Sequence, residues 1–458
     1  MYTRGVEIFW LGPQDTRAYT TLATHLLNHN AFLSYSGLMP ESWYTPGYPF
    51  FLAIIFALFK SWVPAIIIQN IIASCSAILV YQIGKKYISE PAGFVGVLLF
   101  ALEPTNAYIS NFLWSETLFL FLFLIFILSF MEFLTTKDNP AWRHIVIASL
   151  SLSAAIYVRS IAFYLPIIFG ALFIGALLTK QRIINRNKLV PFAGFLLIVA
   201  LLVTPWLVRN KALFNRWSIS SAGSVMLYFY DAVPFAYMRN ADSPIAYMIG
   251  AEEVSEPEND IPLIPFTSEF HYTGTGGLRQ EKYLLSEAKK IILQHPIQYT
   301  AFHTTSGFGG MFLQDSWRSI VRRLDYTPEI SGVTRALANF DINALQKTIS
   351  IDVALWIFVG IAGHLFFFLT TICFLVGCMS LFRDPKLFGM LAIMIVIYFT
   401  MLTGPAAYRE RYRYPITPFV FLLAAQGALY ARSSMRPKIY NFFNHTNHLK
   451  QNAERKTL

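Results

Sequence analysis

One run of apolar residues, 113–134 (LWSETLFLFLFLIFILSFMEFL), leaves this chain few folds to choose from. A helix of about 20 residues is about 30 Å long, which matches the hydrocarbon thickness of a bilayer. The pattern recurs: 63–84, 91–109, 113–134, 144–160, 161–179, 189–208, 353–381, 386–404 and 414–431 all qualify or nearly so. Composition agrees, with 55% hydrophobic residues, 14% charged and a mean hydropathy of +0.47. A soluble chain carries roughly 25% charged residues, so lipid is the solvent this sequence is written for. The expected fold is an all-α polytopic membrane protein, a helical bundle of about nine transmembrane helices. The run 49–60 is too short to cross and reads as an interfacial helix.

The charges sort the loops. Lys85 and Lys86, then Lys137, Arg143 and His144, then Lys180, Arg182, Arg186 and Lys188, then Arg383 and Lys386 occupy every second connection. The tail adds Arg432, Arg436, Lys438, Lys450, Arg455 and Lys456, so one alternating topology puts all of these in the cytoplasm. The same sorting explains the net charge of +10 without nucleic acid as a partner. Segments 1–62, 110–112, 159–161, 209–352 and 405–413 then face outward. Four parts are expected: an N-terminal module 1–208, a mixed outer-face domain 209–352, C-terminal helices 353–431 and a basic tail 432–458. The outer domain holds an amphipathic stretch, Gln280 to Gln294, stopped at His295-Pro296, which predicts a helix. Its acidic run around Glu252, Glu253, Glu256, Glu258 and Asp260 reads as a solvated loop. Cys75, Cys373 and Cys378 lie in apolar runs and show neither metal nor disulfide spacing. The first residues lack the apolar core of a cleavable signal peptide.

Polar side chains collect at the outer ends of the runs. Asp15, Tyr19, Leu22 and Ala23 share one face of a moderately apolar helix, placed at the interface. In SWYTPGYPFFLA, Pro46, Gly47 and Pro49 fix a turn around Tyr48. Glu103 and Glu116 stand at the mouths of the second and third runs, where a carboxylate is expensive and marks a functional position. Ser115 and Glu116 also suit a plain helix-capping role. Arg159, Arg209 with Asn210, and Arg409, Glu410, Arg411 and Arg413 face outward against the positive-inside rule. Any one of these arginines could snorkel to headgroups. A cluster of them suits an anionic partner, and phosphate fits the guanidinium fork. His364, inside the seventh run, reads as a packed polar residue.

Aspartate followed four residues on by tyrosine, then PGYP, then SETLF, resembles the polytopic glycosyltransferases of the GT-C class. The nearest likeness is glycosyltransferase family 39, which holds protein O-mannosyltransferases and bacterial lipid A aminoarabinose transferases. RYRYPITPF resembles the arginine-rich loop before the last core span of bacterial members, and LLSEAKKIILQHPIQY a helix of their outer domain. The resemblance implies a donor sugar on a polyprenyl phosphate, such as undecaprenyl phosphate. It implies a multi-pass protein of the cell membrane, the bacterial inner membrane, working on its periplasmic or extracellular face. Asp15 would be the general base or help bind a divalent metal, Arg159 would contact donor phosphate, and Glu116 matches a position acidic in many relatives. Tyr48, Arg209, Arg409, Arg411 and Arg413 join Arg159 as candidate substrate-binding residues. Many relatives carry paired acids in the first loop, whereas Gln14 sits beside Asp15 here. Relatives also begin with a full span before that aspartate; only fourteen residues precede it here, so a truncated or differently held start is expected.

The residues give the same chemistry without the family. Sugar transfer needs a base for the acceptor hydroxyl, and an outer-face carboxylate can serve. The leaving group is a phosphate, whose developing charge calls for cations. The acceptor stays open among glycan, lipid and protein. A flippase or transporter for polyprenyl-linked glycans is the alternative, but no internal repeat is visible. A polysaccharide polymerase or ligase would use similar arginines, whereas a membrane scaffold leaves them unexplained.

Overall fold

The computed structural model describes residues 14–136, 142–178, 186–240, 277–313, 317, 351–381, 387–405 and 410–434. The acidic run 252–260, Arg409 and most of the tail therefore lie outside the described residues. Helix α1 spans Gln14–His29, α2 Gly47–Phe59, α3 Val63–Tyr87, α4 Glu90–Leu102, α5 Pro104–Ser110 and α6 Glu116–Thr135. Then come α7 Trp142–Val158, α8 Leu165–Leu178 and α9 Leu189–Phe214. The outer segment contributes a π-helical turn Met226–Ala232, α10 Val233–Asn240, α11 Gly277–Gln294 and α12 Pro296–Phe308. Helices α13 Ile351–Leu381, α14 Leu387–Thr403 and α15, residues 417–434, close the bundle.

The protein is a multi-pass membrane protein. Val63–Tyr87, Glu116–Thr135, Leu189–Phe214 and Val353–Leu381 are each long and apolar enough to cross a bilayer. Shorter apolar helices, including Trp142–Val158 and Leu387–Thr403, stand among them. The expected second span, 91–109, is not one straight helix: α4 and α5 meet at 61°. The cause is local. Pro104 disfavours the helical conformation in the residue before it, and Glu103 is extended at φ −74°, ψ 113°. Asn106 Nδ2 then donates to the Phe100 carbonyl at 2.6 Å, taking up an acceptor that the break exposes. Gly47–Phe59 is a separate short helix, ended by Lys60 in the left-handed conformation.

Lipid offers no hydrophobic drive between helices, so shape has to hold the bundle. Phenylalanine supplies it. Phe126, Phe130, Phe133, Phe169, Phe173, Phe192 and Phe195 are buried where α6, α8 and α9 meet, and Phe173 stacks on Phe192 at 4.0 Å. Glycine supplies the close approach of α13 and α15, where a Cβ on Gly427 would stand 1.9 Å from the Cys373 carbonyl oxygen.

One end of the bundle gathers Lys85, Lys86 and Lys188. Lys188 Nζ donates to the carbonyls of Phe133, Leu134 and Thr136 at 2.6–2.9 Å, capping the open end of α6. The other end carries Glu116, Arg159 and Arg209, as the alternation of loop charge requires. Among the described residues the outer segment is helical, not mixed, and the one isolated bridge pairs Leu33 with Pro40. His364 is exposed on the outward face of α13, where a packed position was expected.

Candidate active site

A cavity of about 860 Å³ opens between the outer ends of the membrane helices and the outer segment. Asp15 reaches it because α1 folds as an interfacial helix whose buried face carries Tyr19, Leu22 and Ala23. The turn that follows is fixed against α7: a Cβ on Gly47 would stand 2.6 Å from the Tyr157 carbonyl, so only glycine allows that contact. This packs PGYP beside Arg159, which terminates α7 with an extended backbone (φ −145°, ψ 122°). Arg411 enters from the short turn Glu410–Arg413 and lies over the Trp114 ring at 4.8 Å.

Four charges interlock there. Glu116 Oε1 accepts from Arg159 Nη1 at 2.6 Å and from Arg411 Nε at 2.6 Å. Arg411 Nη1 also pairs with Asp15 Oδ2, while the Tyr44 hydroxyl donates to Asp15 Oδ1 at 2.7 Å. Arg159 Nη1 donates to Ser115 Oγ at 3.1 Å, and that hydroxyl is 3.0 Å from Tyr19 Oη. The two carboxylates are not equivalent. The Asp15 side chain is 20% exposed and lines the cavity; Glu116 is 0% exposed and stands behind the wall. An anion entering the cavity therefore meets Asp15, Arg159 and Arg411, with Glu116 as the counter-charge that holds both guanidiniums.

The environment fixes protonation. Burial, reinforced by the Asp15 charge, pushes the Tyr44 phenol far up, so Tyr44 remains a donor to Asp15. Burial likewise raises Tyr19. Burial alone would lower Arg411, but Glu116 and Asp15 outweigh it and hold the guanidinium charged. The donor set does not suit a divalent metal. Among the described residues no group of three His, Cys, Asp or Glu converges, and guanidinium already occupies one oxygen of each carboxylate.

The other sequence candidates lie elsewhere. Tyr48 is fully buried beneath Tyr19, edge-to-face at 4.8 Å, and its hydroxyl donates to Gln69. Arg209 stacks on Trp206 at 4.3 Å and donates to the carbonyls of Glu41 and Phe32, tying the first outer loop to α9. Arg413 packs against Phe367 at 3.7 Å beside a separate void of about 10 Å³. Glu103 accepts from Thr105 Oγ1 at 2.6 Å and Trp317 Nε1 at 3.2 Å at the α4–α5 break. Sequence reasoning missed Tyr44 and Trp114; their only signal is that both flank motifs already singled out.

Residues 44–208 match the family described as dolichyl-phosphate-mannose-protein mannosyltransferase. Two solved structures are similar over 93% of this chain, both of ArnT from Cupriavidus metallidurans. The one bound to undecaprenyl phosphate has a TM-score of 0.39, 13% identity and 76% of its own chain covered. The apo form has a TM-score of 0.37, 14% identity and 75% covered. At that distance no residue is equated between the chains. No curated protein matches the sequence.

Proposed function

We propose that this chain, whose N-terminal module carries a mannosyltransferase-family match over 44–208, is a GT-C-type membrane glycosyltransferase. It moves a sugar from a polyprenyl-phosphate donor to an acceptor hydroxyl on the non-cytoplasmic face, periplasmic or extracellular. The observation that carries the reading is the cavity wall that presents Asp15, paired with Arg411, together with Arg159 at the outer ends of the membrane helices. The likeness of residues 44–208 to a family named for a lipid-phosphate sugar donor supports the same class of donor.

The chemistry follows from the geometry. The donor phosphate takes the guanidinium edge that Asp15 occupies in its absence, so Arg411 turns its Nη1 from Asp15 toward the phosphate while Glu116 keeps hold of both arginines. This leaves the Asp15 carboxylate free on one oxygen and oriented on the other by Tyr44. Asp15 takes the acceptor proton as the acceptor oxygen bonds to the anomeric carbon. The bond from that carbon to the phosphate oxygen breaks, and Arg159 and Arg411 stabilise the departing polyprenyl phosphate. Glu116 touches no reacting atom; it is a positioning residue for both arginines.

The N-terminal module 1–208 and the turn at 410–413 supply the reacting groups in this reading, and the outer segment 209–352 forms the far wall. Purified protein in lipid nanodiscs, given an undecaprenyl-phosphate-linked sugar and a glycan or lipid acceptor pool, should release undecaprenyl phosphate and label an acceptor. Translocation of the labelled lipid across proteoliposomes with no acceptor and no cleavage would favour the flippase reading instead.

A further inference from the structure

The far wall of the same cavity carries two titratable groups that lie 72 residues apart in sequence, Asp231 and His303. Asp231 stands on the π-helical turn and His303 on α12. His303 Nδ1 is 2.7 Å from Asp231 Oδ1, and Nε2 is 2.8 Å from the backbone carbonyl oxygen of Met401, at the outer end of α14. A carbonyl oxygen can only accept, so Nε2 carries a hydrogen. A neutral imidazole has a single N–H, which leaves Nδ1 as a bare lone pair. At 2.7 Å from a carboxylate oxygen that arrangement is repulsive, so a second hydrogen lies between Nδ1 and Oδ1, on one or the other.

The pair thus holds one shared proton and no net charge, whichever atom carries it. The environment supports this. Burial pushes Asp231 up; burial alone would lower His303, but its hydrogen bond to Asp231 and the Asp231 charge raise it overall. Around the pair stand Tyr299 on α12, whose hydroxyl is 3.3 Å from Nδ1, and Tyr230 on the π-turn. Glu281 on α11, and Arg411 and Tyr412 from the 410–413 turn, line the same cavity. Gly404, at φ +45°, presses directly on the pair: a Cβ there would stand 2.3 Å from His303 Cε1 and 2.9 Å from Asp231 Oδ1.

We propose that Asp231 and His303 are positioning residues whose one shared proton latches the outer helices onto the end of α14 and whose loss releases that wall of the cavity. The latch joins three elements: the π-turn, α12 and α14. It is closed below the apparent pKa of the pair and opens as pH rises through it, because the deprotonated ring can satisfy only one of its two acceptors. The inference concerns the wall of the cavity and stands whether or not the chain transfers sugar.

Hydrogen–deuterium exchange of the full chain in nanodiscs, followed from pH 6 to pH 9.5 and corrected for intrinsic rates, tests it. Amides of 233–240 and 296–308 should exchange about tenfold faster at the alkaline end, the effect of losing one charge-assisted hydrogen bond. In Asp231→Asn the side-chain amide donates to the Nδ1 lone pair while Nε2–H keeps Met401. The latch then closes without a titrating proton, and protection should stay flat across the range. His303→Phe should exchange fast at every pH; if it fails to fold, the Asp231→Asn comparison decides alone. A wild-type profile without the alkaline rise, or the same rise persisting in Asp231→Asn, overturns the proposal.

Discussion

Replacing Glu116 by glutamine keeps the shape of the side chain and removes the charge that Arg159 and Arg411 share. Glu116 is 0% exposed, and the two guanidinium side chains are 13% and 11% exposed, so water screens the cluster little. Breaking a buried ion pair from one side costs about 3–5 kcal/mol, since the remaining charges are left desolvated and unpaired. After Glu116→Gln, Asp15 alone faces two cations. We expect an apparent melting temperature lower by several degrees in detergent, and weaker transfer because both arginines lose their anchor. The double variant Glu116→Gln with Arg159→Gln removes one charge of each sign. It should recover part of the stability, with a coupling of about 1–3 kcal/mol in the double-mutant cycle, while transfer stays low. Thermal unfolding of the four proteins, each with a parallel transfer assay, gives both readouts. A Glu116→Gln protein within about 0.5 kcal/mol of wild type, or a cycle with no coupling, would refute the four-charge account.

Arg159→Ala and Arg411→Ala should each slow transfer about 10²–10³-fold, as loss of one oxyanion stabiliser does, with reduced retention of undecaprenyl phosphate in native mass spectrometry. Full retention in both would remove the arginines from the donor site. Gly47→Ala forces its new methyl against the Tyr157 backbone and displaces Arg159, so turnover should fall about 10–100-fold in a protein that still inserts. Lys188→Met strips three carbonyls at the opposite end of α6 of their donor, costing about 1–3 kcal/mol of stability. Transfer per folded molecule should not change, which a rate normalised to folded protein will check.

Much of this architecture is legible in the sequence because lipid makes few demands and makes them everywhere. Apolar runs place the membrane helices, and the lysines at 85, 86 and 188 gather at one end of the bundle. Glu116, Arg159 and Arg411 stand out because each is a charge where the solvent or the loop rule disfavours one, whereas Asp15 stands out through the motif it shares with Tyr19. What the sequence hides is direction within a face. Arg411 and Arg413 are two residues apart, yet one spans the carboxylates and the other stacks on Phe367, a choice made by helices distant in sequence. Tyr48 and Arg209 are polar at the outer face for structural reasons, the first holding Gln69 and the second pinning the loop through Glu41. The break at Glu103-Pro104 had its signal in the proline and in the more polar PTNAYIS that follows, but the apolar run before it masked the break. Nothing local could have paired Asp231 with His303.

Asp15→Asn tests the central claim most directly, with donor retention and turnover measured on one preparation. Asparagine keeps the shape: its Oδ1 can accept from Arg411 while its amide donates to the Tyr44 oxygen, but it cannot take a proton. Undecaprenyl phosphate should therefore be retained within a few-fold of wild type while transfer falls by about 10²–10⁴, the range for loss of a general base. Transfer at the wild-type rate would contradict the assignment of Asp15 as the base.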